Sequence, residues 1–333
     1  MRYCSRCTLP ATFPGVTFDA QGICQYCLRF QPSLIRQQMN RYRLKFTALI
    51  KKYRGRSEYD ILVSYSGGKD SSFILDLLKN EFGLKALAFT FDNGFISSAA
   101  RENIHRVVEK LGVDHILVKP RFDVLKKIFA AAASSDELYS RKSLERASPI
   151  CTACISLVKS IGLRMAIEKR IPLLGFGWSP GQAPIQSSVM RLNPSFVNLT
   201  QKKLMAPLCT ILSKEELGPY FLTDTNLTLG AQHFPWNIHP LAFLEYSQEM
   251  IFQRIEALGW QRPADTGVHS TNCLLNSLAI ENHKARYHFH PYAWEIANLV
   301  RSGRMSRAEG LERIRATEPS SIVDYARERL GLV

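Results

Sequence analysis

The chain has 333 residues, 46% of them hydrophobic and 22% charged, a composition that fits a folded protein and excludes a disordered or fibrous one. Its 43 Lys and Arg against 29 Asp and Glu give a net charge of +14, which indicates an anionic partner such as RNA, a nucleotide or a sugar phosphate. No apolar run approaches the roughly 20 residues that cross a bilayer, and the start lacks the apolar core of a signal peptide. We therefore expect a cytoplasmic protein with no membrane partner, and a homodimer is compatible with the sequence.

The first thirty residues contain two CxxC pairs separated by sixteen residues: Cys4, Cys7, Cys24 and Cys27. In a cytoplasmic chain, cysteines at such spacing indicate a metal site rather than disulfides. Four thiolates suit tetrahedral Zn²⁺ and leave no open position for catalysis, and the metal would fold a segment too short to fold by itself. Residues 1–30 are therefore predicted to form a structural zinc ribbon.

Residues 31–56 are predicted to form a basic linker helix. From Leu28 to Ser57 the chain carries nine basic residues and no acidic one, while apolar residues recur at spacings of three and four. Such a helix is either a linker with a solvated basic face or a phosphate-binding surface, and the sequence leaves both open.

From about residue 59 the pattern alternates between strands and helices. Four apolar strands are predicted, at 60–65, 85–91, 115–118 and 172–177. Strands separated by helices predict an α/β fold with a doubly wound parallel sheet, whose ligands bind beyond the carboxyl ends of the strands. We assign 57–235 to this domain, with an irregular insertion or lid at about 180–235, and 236–333 to a helical C-terminal region.

A glycine-rich loop joins the first strand to the next helix, with the sequence Ser66, Gly67, Gly68, Lys69, Asp70, Ser71, Ser72. Glycines let the backbone approach a phosphate, and the helix start offers free N–H groups and a positive dipole end. Lys69 adds charge, and Asp70 is placed to hold Mg²⁺ against a nucleotide. The spacing of a Walker A loop is absent, so another kind of phosphate loop is expected.

The SGGKDSS stretch after a strand resembles the PP-loop of the ATP pyrophosphatases, which include GMP synthetase, argininosuccinate synthetase and the tRNA thiolases. The resemblance covers roughly 57–180. It implies that ATP is cleaved between its α- and β-phosphates, that a substrate oxygen is adenylated, and that a nucleophile then displaces AMP. It further implies pyrophosphate binding by the loop, catalytic roles for Lys69 and Asp70, and adenosine contacts at the strand ends, at Thr90, Phe91, Asp92 and Gly175.

A third CxxC, Cys151 and Cys154, precedes a helix that leads into the fourth strand, so both thiols are expected to face the nucleotide crevice. From spacing alone the pair is half a zinc site, a redox pair or part of an iron–sulfur cluster. Of the remaining cysteines, Cys209 lies in an apolar stretch typical of a buried, inert thiol. Cys273 lies in a polar loop typical of a ligand.

A CxxC with one distant cysteine resembles a subgroup of PP-loop tRNA thiolases that hold a [4Fe–4S] cluster with three cysteines. The resemblance implies that Cys151, Cys154 and Cys273 bind such a cluster, and that its free iron carries sulfur to an adenylated carbon. Cys273 lies further downstream than those relatives indicate, so Cys209 remains an alternative third ligand. A persulfide or redox pair remains an alternative to the cluster.

A second resemblance covers more of the chain. The start MRYCSRCTLPATFPGVTFDAQGICQYC, with IHP from residue 238 and SGRMSRAE from residue 302, is similar to the N-acetyl sugar amidotransferases of surface polysaccharide synthesis. That family implies ammonia from a partner glutaminase, whereas a CxxC beside the nucleotide favours sulfur.

We therefore expect a sulfurtransferase that uses a sulfur donor. An amidotransferase, and an RNA-binding module with a degenerate ATP site, remain alternatives. His269 is a candidate base, and the segment after the fourth strand offers candidate pocket residues, which are Trp178, Gln182 and Gln186.

Overall fold

The computed structural model describes residues 1–135, 138–228 and 230–332. Six strands form one sheet with the order β3-β2-β1-β4-β6-β5, in which β5 is antiparallel to β6 and every other pairing is parallel. The strands are β1 (Ile61–Ser64), β2 (Ala86–Phe91), β3 (Asp114–Val118), β4 (Leu173–Phe176), β5 (Val189–Arg191) and β6 (Trp236–Ile238).

The described residues also form fifteen α-helices, and a π-helical turn at Leu77–Glu81 extends the third. They are α1 (Gln25–Leu28), α2 (Pro32–Tyr53), α3 (Lys69–Asp76), α4 (Ser98–Leu111), α5 (Phe122–Ser134), α6 (Arg141–Leu144), α7 (Pro149–Glu168), α8 (Pro194–Leu208), α9 (Lys214–Leu217), α10 (Asp224–Thr228), α11 (Gln248–Glu256), α12 (Leu275–Tyr287), α13 (Ala293–Arg301), α14 (Arg307–Arg315) and α15 (Ser320–Leu330).

Both faces of the sheet are covered by helices, which confirms the predicted doubly wound α/β class. Successive residues of β1 point to opposite faces. Leu62 joins a core with α5, α7, α12 and α15, while Ile61 and Val63 join a second core with α2, α3, α4 and α11. The carboxyl ends of β1, β2 and β4 therefore meet at one edge of the sheet, where a ligand would bind.

Helix α2 carries the predicted basic face. Its C-terminal half buries Phe46, Leu49 and Ile50 against the sheet. The nine basic residues of the segment are all exposed, which are Arg29, Arg36, Arg41, Arg43, Lys45, Lys51, Lys52, Arg54 and Arg56.

Helix α7 differs from the sequence expectations in two ways. It is long and apolar enough to cross a membrane by length and composition, contrary to the expectation that no such run exists, but 56% of that window is buried inside the protein. The helix also begins earlier than predicted, because the Ser148 hydroxyl accepts the N–H of Cys151 (3.1 Å) and Pro149 occupies the first turn. The central CxxC therefore lies inside the first two turns of α7 rather than before the helix.

The region after residue 180 is more ordered than its sequence indicates. Strand β5 and helix α8 lie within the segment read as irregular, and β6 extends the sheet past residue 235. These strands have three residues each, too few for a period, and Pro207 within α8 obscures the helical pattern. The C-terminal region is helical as predicted, with α12 as an additional helix.

The N-terminal ribbon packs against the C-terminal helices. The Phe13 ring stacks on Trp294 with centroids 5.6 Å apart and meets Phe289 edge-on at 5.3 Å. Arg307 donates to the carbonyl oxygens of Cys4 (2.9 Å) and Cys7 (3.0 Å). The two ends of the chain thus share one small core.

Candidate active site

The SGGKDSS loop (Ser66–Ser72) lies at the carboxyl end of β1 and runs into α3. Gly67 has φ +74°, and a Cβ there would lie 2.6 Å from the carbonyl oxygen of Ala100, so only glycine fits. The Ser71 and Ser72 hydroxyls donate to the Gly68 carbonyl oxygen at 3.0 and 2.9 Å. The backbone of the loop is therefore held tightly, with its helix start facing the crevice.

The charged pair of this loop is joined by a tyrosine that the sequence does not single out. Lys69 Nζ lies 2.7 Å from Asp70 Oδ2 and 3.1 Å from the Tyr246 hydroxyl, which lies 3.4 Å from Asp70 Oδ1. Burial alone would lower the pKa of Lys69, but Asp70 and Tyr246 hold that pKa above its ordinary value. Lys69 is thus a fixed cation beside the Asp70 side chain.

Two further residues from far along the chain complete the loop. The Lys69 backbone N–H donates to Thr271 Oγ1 at 3.2 Å, and Trp260 Nε1 donates to the Gly67 carbonyl oxygen at 2.8 Å. The Trp260 side chain is fully buried. No motif marks these residues, so the sequence offered no signal for them.

The strand-end residues predicted to contact adenosine differ in how deeply they are buried and in their hydrogen-bond partners. Thr90 is buried and donates to the Tyr65 carbonyl oxygen (2.6 Å), while Asp92 is buried and paired with Arg101 (3.2 Å). Phe91, the last residue of β2, is half-buried.

Gly175 is the third of the four residues of β4, where a Cβ would meet Ile61 at 3.2 Å, so this position faces the core. Gly177 instead adjoins the loop, since a Cβ there would lie 2.8 Å from the Ser71 nitrogen. The second glycine of the Gly-Phe-Gly sequence was therefore the informative signal, because it lies beyond the strand.

The central cysteines (Cys151, Cys154 and Cys273) converge beside this loop. Asn93 Nδ2 lies 3.7 Å from Cys154 Sγ and 3.5 Å from Cys273 Sγ, and Asn276 Nδ2 lies 3.8 Å from Cys151 Sγ. Burial raises the pKa of Cys151 to about 11 and raises the pKa of Cys154 and Cys273.

In the part of the chain that the structure describes, the central cysteines do not form a compact group around a single ion. Among the described residues, Cys4, Cys7, Cys24 and Cys27 form the one group of three or more His, Cys, Asp or Glu whose ligand atoms all lie within 4.8 Å of one another. At least one pair of central sulfurs is therefore farther apart. Three convergent thiols in a partly buried site match the donor set that an iron–sulfur cluster uses.

Cys209 lies apart from this centre. It caps the C-terminal end of α8 and is exposed, so the expectation of a buried thiol is wrong. The reason is that the apolar residues around it face the core, while Cys209 lies on the outer side of the helix end. The structure brings Cys273, not Cys209, to the CxxC.

The ribbon cysteines lie close enough together to bind one metal ion. Cys4 Sγ lies 3.8 Å from Cys27 Sγ, and Cys7 Sγ lies 3.7 Å from Cys24 Sγ. A tetrahedron with Zn–S bonds of about 2.3 Å has sulfur–sulfur edges of about 3.8 Å. All four residues are buried, as a structural site requires.

Two of the predicted pocket residues after the fourth strand, Trp178 and Gln182, contact other side chains and backbone groups. Trp178 stacks on His239 with centroids 4.7 Å apart, and Lys159 Nζ lies 4.1 Å from the Trp178 centroid. Gln182 accepts the Ser179 N–H at 3.1 Å, and the Ser179 hydroxyl donates to the Glu295 carboxylate.

Two of the predicted residues have other surroundings. Gln186 is exposed, and its carbonyl oxygen accepts from Tyr42 of α2 at 3.4 Å. His269 packs against His290 at 4.5 Å, and burial lowers its pKa to about 4. His269 thus packs in a histidine cluster, and its role as a base stays a prediction.

Comparisons with known proteins leave the family open. A search of protein-family models finds no match. An uncharacterized protein of Methanocaldococcus jannaschii is 23% identical over 320 residues, covering 94% of this chain and 93% of that protein. Among solved structures, the U34-tRNA thiolase NcsA from Methanococcus maripaludis with its [4Fe–4S] cluster is 16% identical, with a TM-score of 0.35, covering 100% of this chain and 99% of that one. Function is therefore inferred from the residues of this chain.

Proposed function

We propose that this protein is an ATP-dependent sulfurtransferase. A substrate C=O oxygen attacks the α-phosphorus of ATP and pyrophosphate leaves; sulfur then attacks the activated carbon and AMP leaves with the oxygen. The observation that carries the proposal is one short loop: Thr271 contacts the SGGKDSS loop, and Cys273, two residues later, lies beside Cys154. Adenylation and sulfur delivery would thus occur in adjoining places.

The SGGKDSS loop would bind the departing pyrophosphate. Its backbone N–H groups and the start of α3 offer a positive end to the phosphates, and Lys69 adds a fixed cation. Asp70 would bind Mg²⁺ once the nucleotide draws Lys69 away from it. These groups stabilise negative charge as it moves onto pyrophosphate, which is the main demand of such a reaction.

The central cysteines would hold a [4Fe–4S] cluster, and Asp70 and the ribbon cysteines would bind Mg²⁺ and Zn²⁺. A cluster with three protein ligands supplies one iron position that can carry an additional sulfur. Replacement by ammonia has no use for three convergent thiols, so this arrangement favours sulfur. Burial of the site would exclude water from the adenylated carbon and limit its hydrolysis.

An anionic substrate, such as tRNA, a nucleotide or a sugar phosphate, fits the charge of the chain. The net charge is +14, and the nine exposed basic residues of the α2 segment have no acidic residue among them. Long anions such as tRNA bind such surfaces with an affinity that falls steeply with salt.

The test uses protein purified without oxygen, α-labelled ATP, sulfide and three probes in turn: unfractionated tRNA, UMP and a UDP-N-acetyl sugar. The expected result is AMP release with one of the probes, a product in which sulfur replaces oxygen, and loss of both in Asp70→Asn. The exposed Asp224→Asn variant is the control. If ammonia replaces sulfide in the assay and the product then contains nitrogen, the protein is an amidotransferase. Binding of tRNA without AMP release would establish an RNA-binding module.

A further inference from the structure

We propose that Asn93 and Asn276 are positioning residues that donate N–H groups to the central cysteines and thereby raise the reduction potential of the bound cluster. This inference rests on the proposed function, because it takes the central cysteines as cluster ligands. Both residues lie outside every motif identified in the sequence.

The orientation of the Asn93 amide is fixed by the backbone. Its Oδ1 accepts the N–H of Phe95 at 2.9 Å, so its Nδ2 must face the other way, toward the sulfurs of Cys154 and Cys273. The residue is buried. One amide group thus bridges a sulfur of α7 and a sulfur of the 270–274 loop.

The turn that carries Asn93 is held from several sides. Asp92 Oδ1 accepts the Gly94 N–H at 2.9 Å. Gly94 has φ +83°, and a Cβ there would lie 2.6 Å from the Phe122 ring, so the turn requires glycine. A turn fixed this firmly can hold an amide donor in one place.

Backbone hydrogen bonds hold the 270–274 loop against the residues that follow the same turn. Ile96 and Cys273 form an isolated antiparallel bridge, in which Leu274 donates to the Phe95 carbonyl oxygen (2.9 Å) and Ser97 donates to the Asn272 carbonyl oxygen (3.0 Å). Cys273 and Asn93 therefore keep their relative positions without help from a metal.

The third sulfur has its own donor. Asn276, in the first turn of α12, lies with its Nδ2 3.8 Å from Cys151 Sγ and also contacts the Tyr292 hydroxyl. Each central cysteine is thus within reach of an amide N–H. A buried turn needs an acceptor for the Phe95 N–H, but it has no need of a donor aimed at two thiols.

The physical effect of these donors has a definite sign. An N–H group directed at a cysteine sulfur stabilises negative charge on the cluster, and the reduced state carries one more negative charge than the oxidised state. Removing the donor therefore lowers the reduction potential. A purely structural role would change stability and leave the potential unchanged.

The experiment compares wild type with Asn93→Ser, Asn93→Asp and Asn276→Ser, all purified without oxygen. Serine and aspartate at position 93 keep an oxygen acceptor for the Phe95 N–H but remove the amide donor. The control is Asn282→Ser on the same helix, because Asn282 donates to the Ala133 carbonyl oxygen and contacts no cysteine sulfur within the described ranges. Iron and sulfide are counted first, and the potential is then titrated by electron paramagnetic resonance.

The expected result is a complete cluster with a lower potential in the Asn93 and Asn276 variants and the wild-type potential in Asn282→Ser. If the Asn93 and Asn276 variants hold a complete cluster and titrate at the wild-type potential, the inference is overturned and the proposed function is not affected. A wild-type protein without iron would overturn the proposed function and the inference with it. If the Asn93 variants do not fold, Asn276→Ser decides the outcome.

Discussion

The backbone N–H of Lys69 donates a hydrogen bond to the Thr271 hydroxyl oxygen at 3.2 Å, across 202 residues of sequence. Thr271 lies two residues before Cys273, whose sulfur lies 3.5 Å from the Asn93 amide. This contact joins the start of α3 to the loop that completes the cysteine centre. A change at Thr271 should therefore affect the nucleotide half-reaction although Thr271 belongs to no nucleotide motif.

Thr271→Val should slow ATP cleavage. Valine keeps the shape of threonine but leaves the part-buried Lys69 N–H without its acceptor, which costs about 1–3 kcal/mol. We expect pyrophosphate release to fall by about tenfold or more, since about 1.4 kcal/mol corresponds to tenfold. Thr210→Val, at an exposed threonine, is the matched control. Equal rates in both variants would show that this contact does not support the loop.

Gly177→Ala should damage the SGGKDSS loop. The new Cβ would lie 2.8 Å from the Ser71 nitrogen and 2.9 Å from the Asp70 carbonyl carbon, so the backbone of the loop must shift. Such overpacking costs about 1–3 kcal/mol. We expect a lower melting temperature and a raised KM for ATP. Gly218→Ala is the control, because no atom of the described part of the chain lies within 4 Å of its Cβ. A variant at Gly177 that behaves like this control would contradict the close approach.

Cys24→Ser should remove one zinc ion per chain and destabilise the C-terminal helices. A tetrahedral site that loses one of four thiolates loses most of its affinity, and the ribbon has little core of its own. Because Phe13 stacks on Trp294, an unfolded ribbon exposes the face of α13. Metal analysis and thermal unfolding measure both effects, with Cys209→Ser as the control. Retention of full zinc by the Cys24 variant would exclude this site.

Acid should destabilise the protein through its buried histidines. Burial lowers the pKa of His269 and His283 to about 4 and that of His239 to about 3. The unfolded chain binds these protons near its ordinary pKa of about 6.5, whereas the folded protein does not. The contribution of these neutral histidines to the unfolding free energy is therefore fully present above about pH 6.5. Between about pH 6.5 and pH 4 the unfolding free energy falls by about 1.4 kcal/mol per pH unit for each histidine.

His283→Phe isolates one member of this set. The His283 ring lies between Tyr287 and Phe289, at 4.7 Å from each, and neither of its nitrogens has a hydrogen-bond partner among the described residues. We expect the unfolding free energy of His283→Phe, measured by urea unfolding, to depend less steeply on pH between about pH 6 and about pH 5. The difference corresponds to the uptake of one proton fewer on unfolding. An unchanged slope in His283→Phe would contradict the buried neutral state.

The sequence was sufficient for the parts of the fold that are local or periodic. The central strands and their helices have clear apolar patterns, and the SGGKDSS loop is a continuous motif. The paired cysteines of the first thirty residues predict the ribbon. The remainder depends on contacts between distant segments. Tyr246, Trp260 and Thr271 reach the loop over 176 or more residues, and nothing local to them marks that contact.

The cysteine centre shows the same division. The CxxC spacing predicts that Cys151 and Cys154 act as a pair, but only the pairing of Ile96 with Cys273 shows which distant cysteine lies near them. The apolar run around Cys209 indicated burial, yet run composition does not tell which side of a helix end a residue occupies. Likewise the local contact of Asn93 Oδ1 with the Phe95 N–H orients the Asn93 amide, but only tertiary structure brings the Cys154 and Cys273 sulfurs to its Nδ2.

The most direct test of the central claim is the iron and acid-labile sulfide content of protein purified without oxygen, for wild type, Cys151→Ser, Cys273→Ser and Cys209→Ser. The account predicts about four irons per chain in wild type and in Cys209→Ser, and loss of the cluster in the other two variants. Zinc alone in all four proteins, or a cluster lost with Cys209 and kept without Cys273, would contradict it.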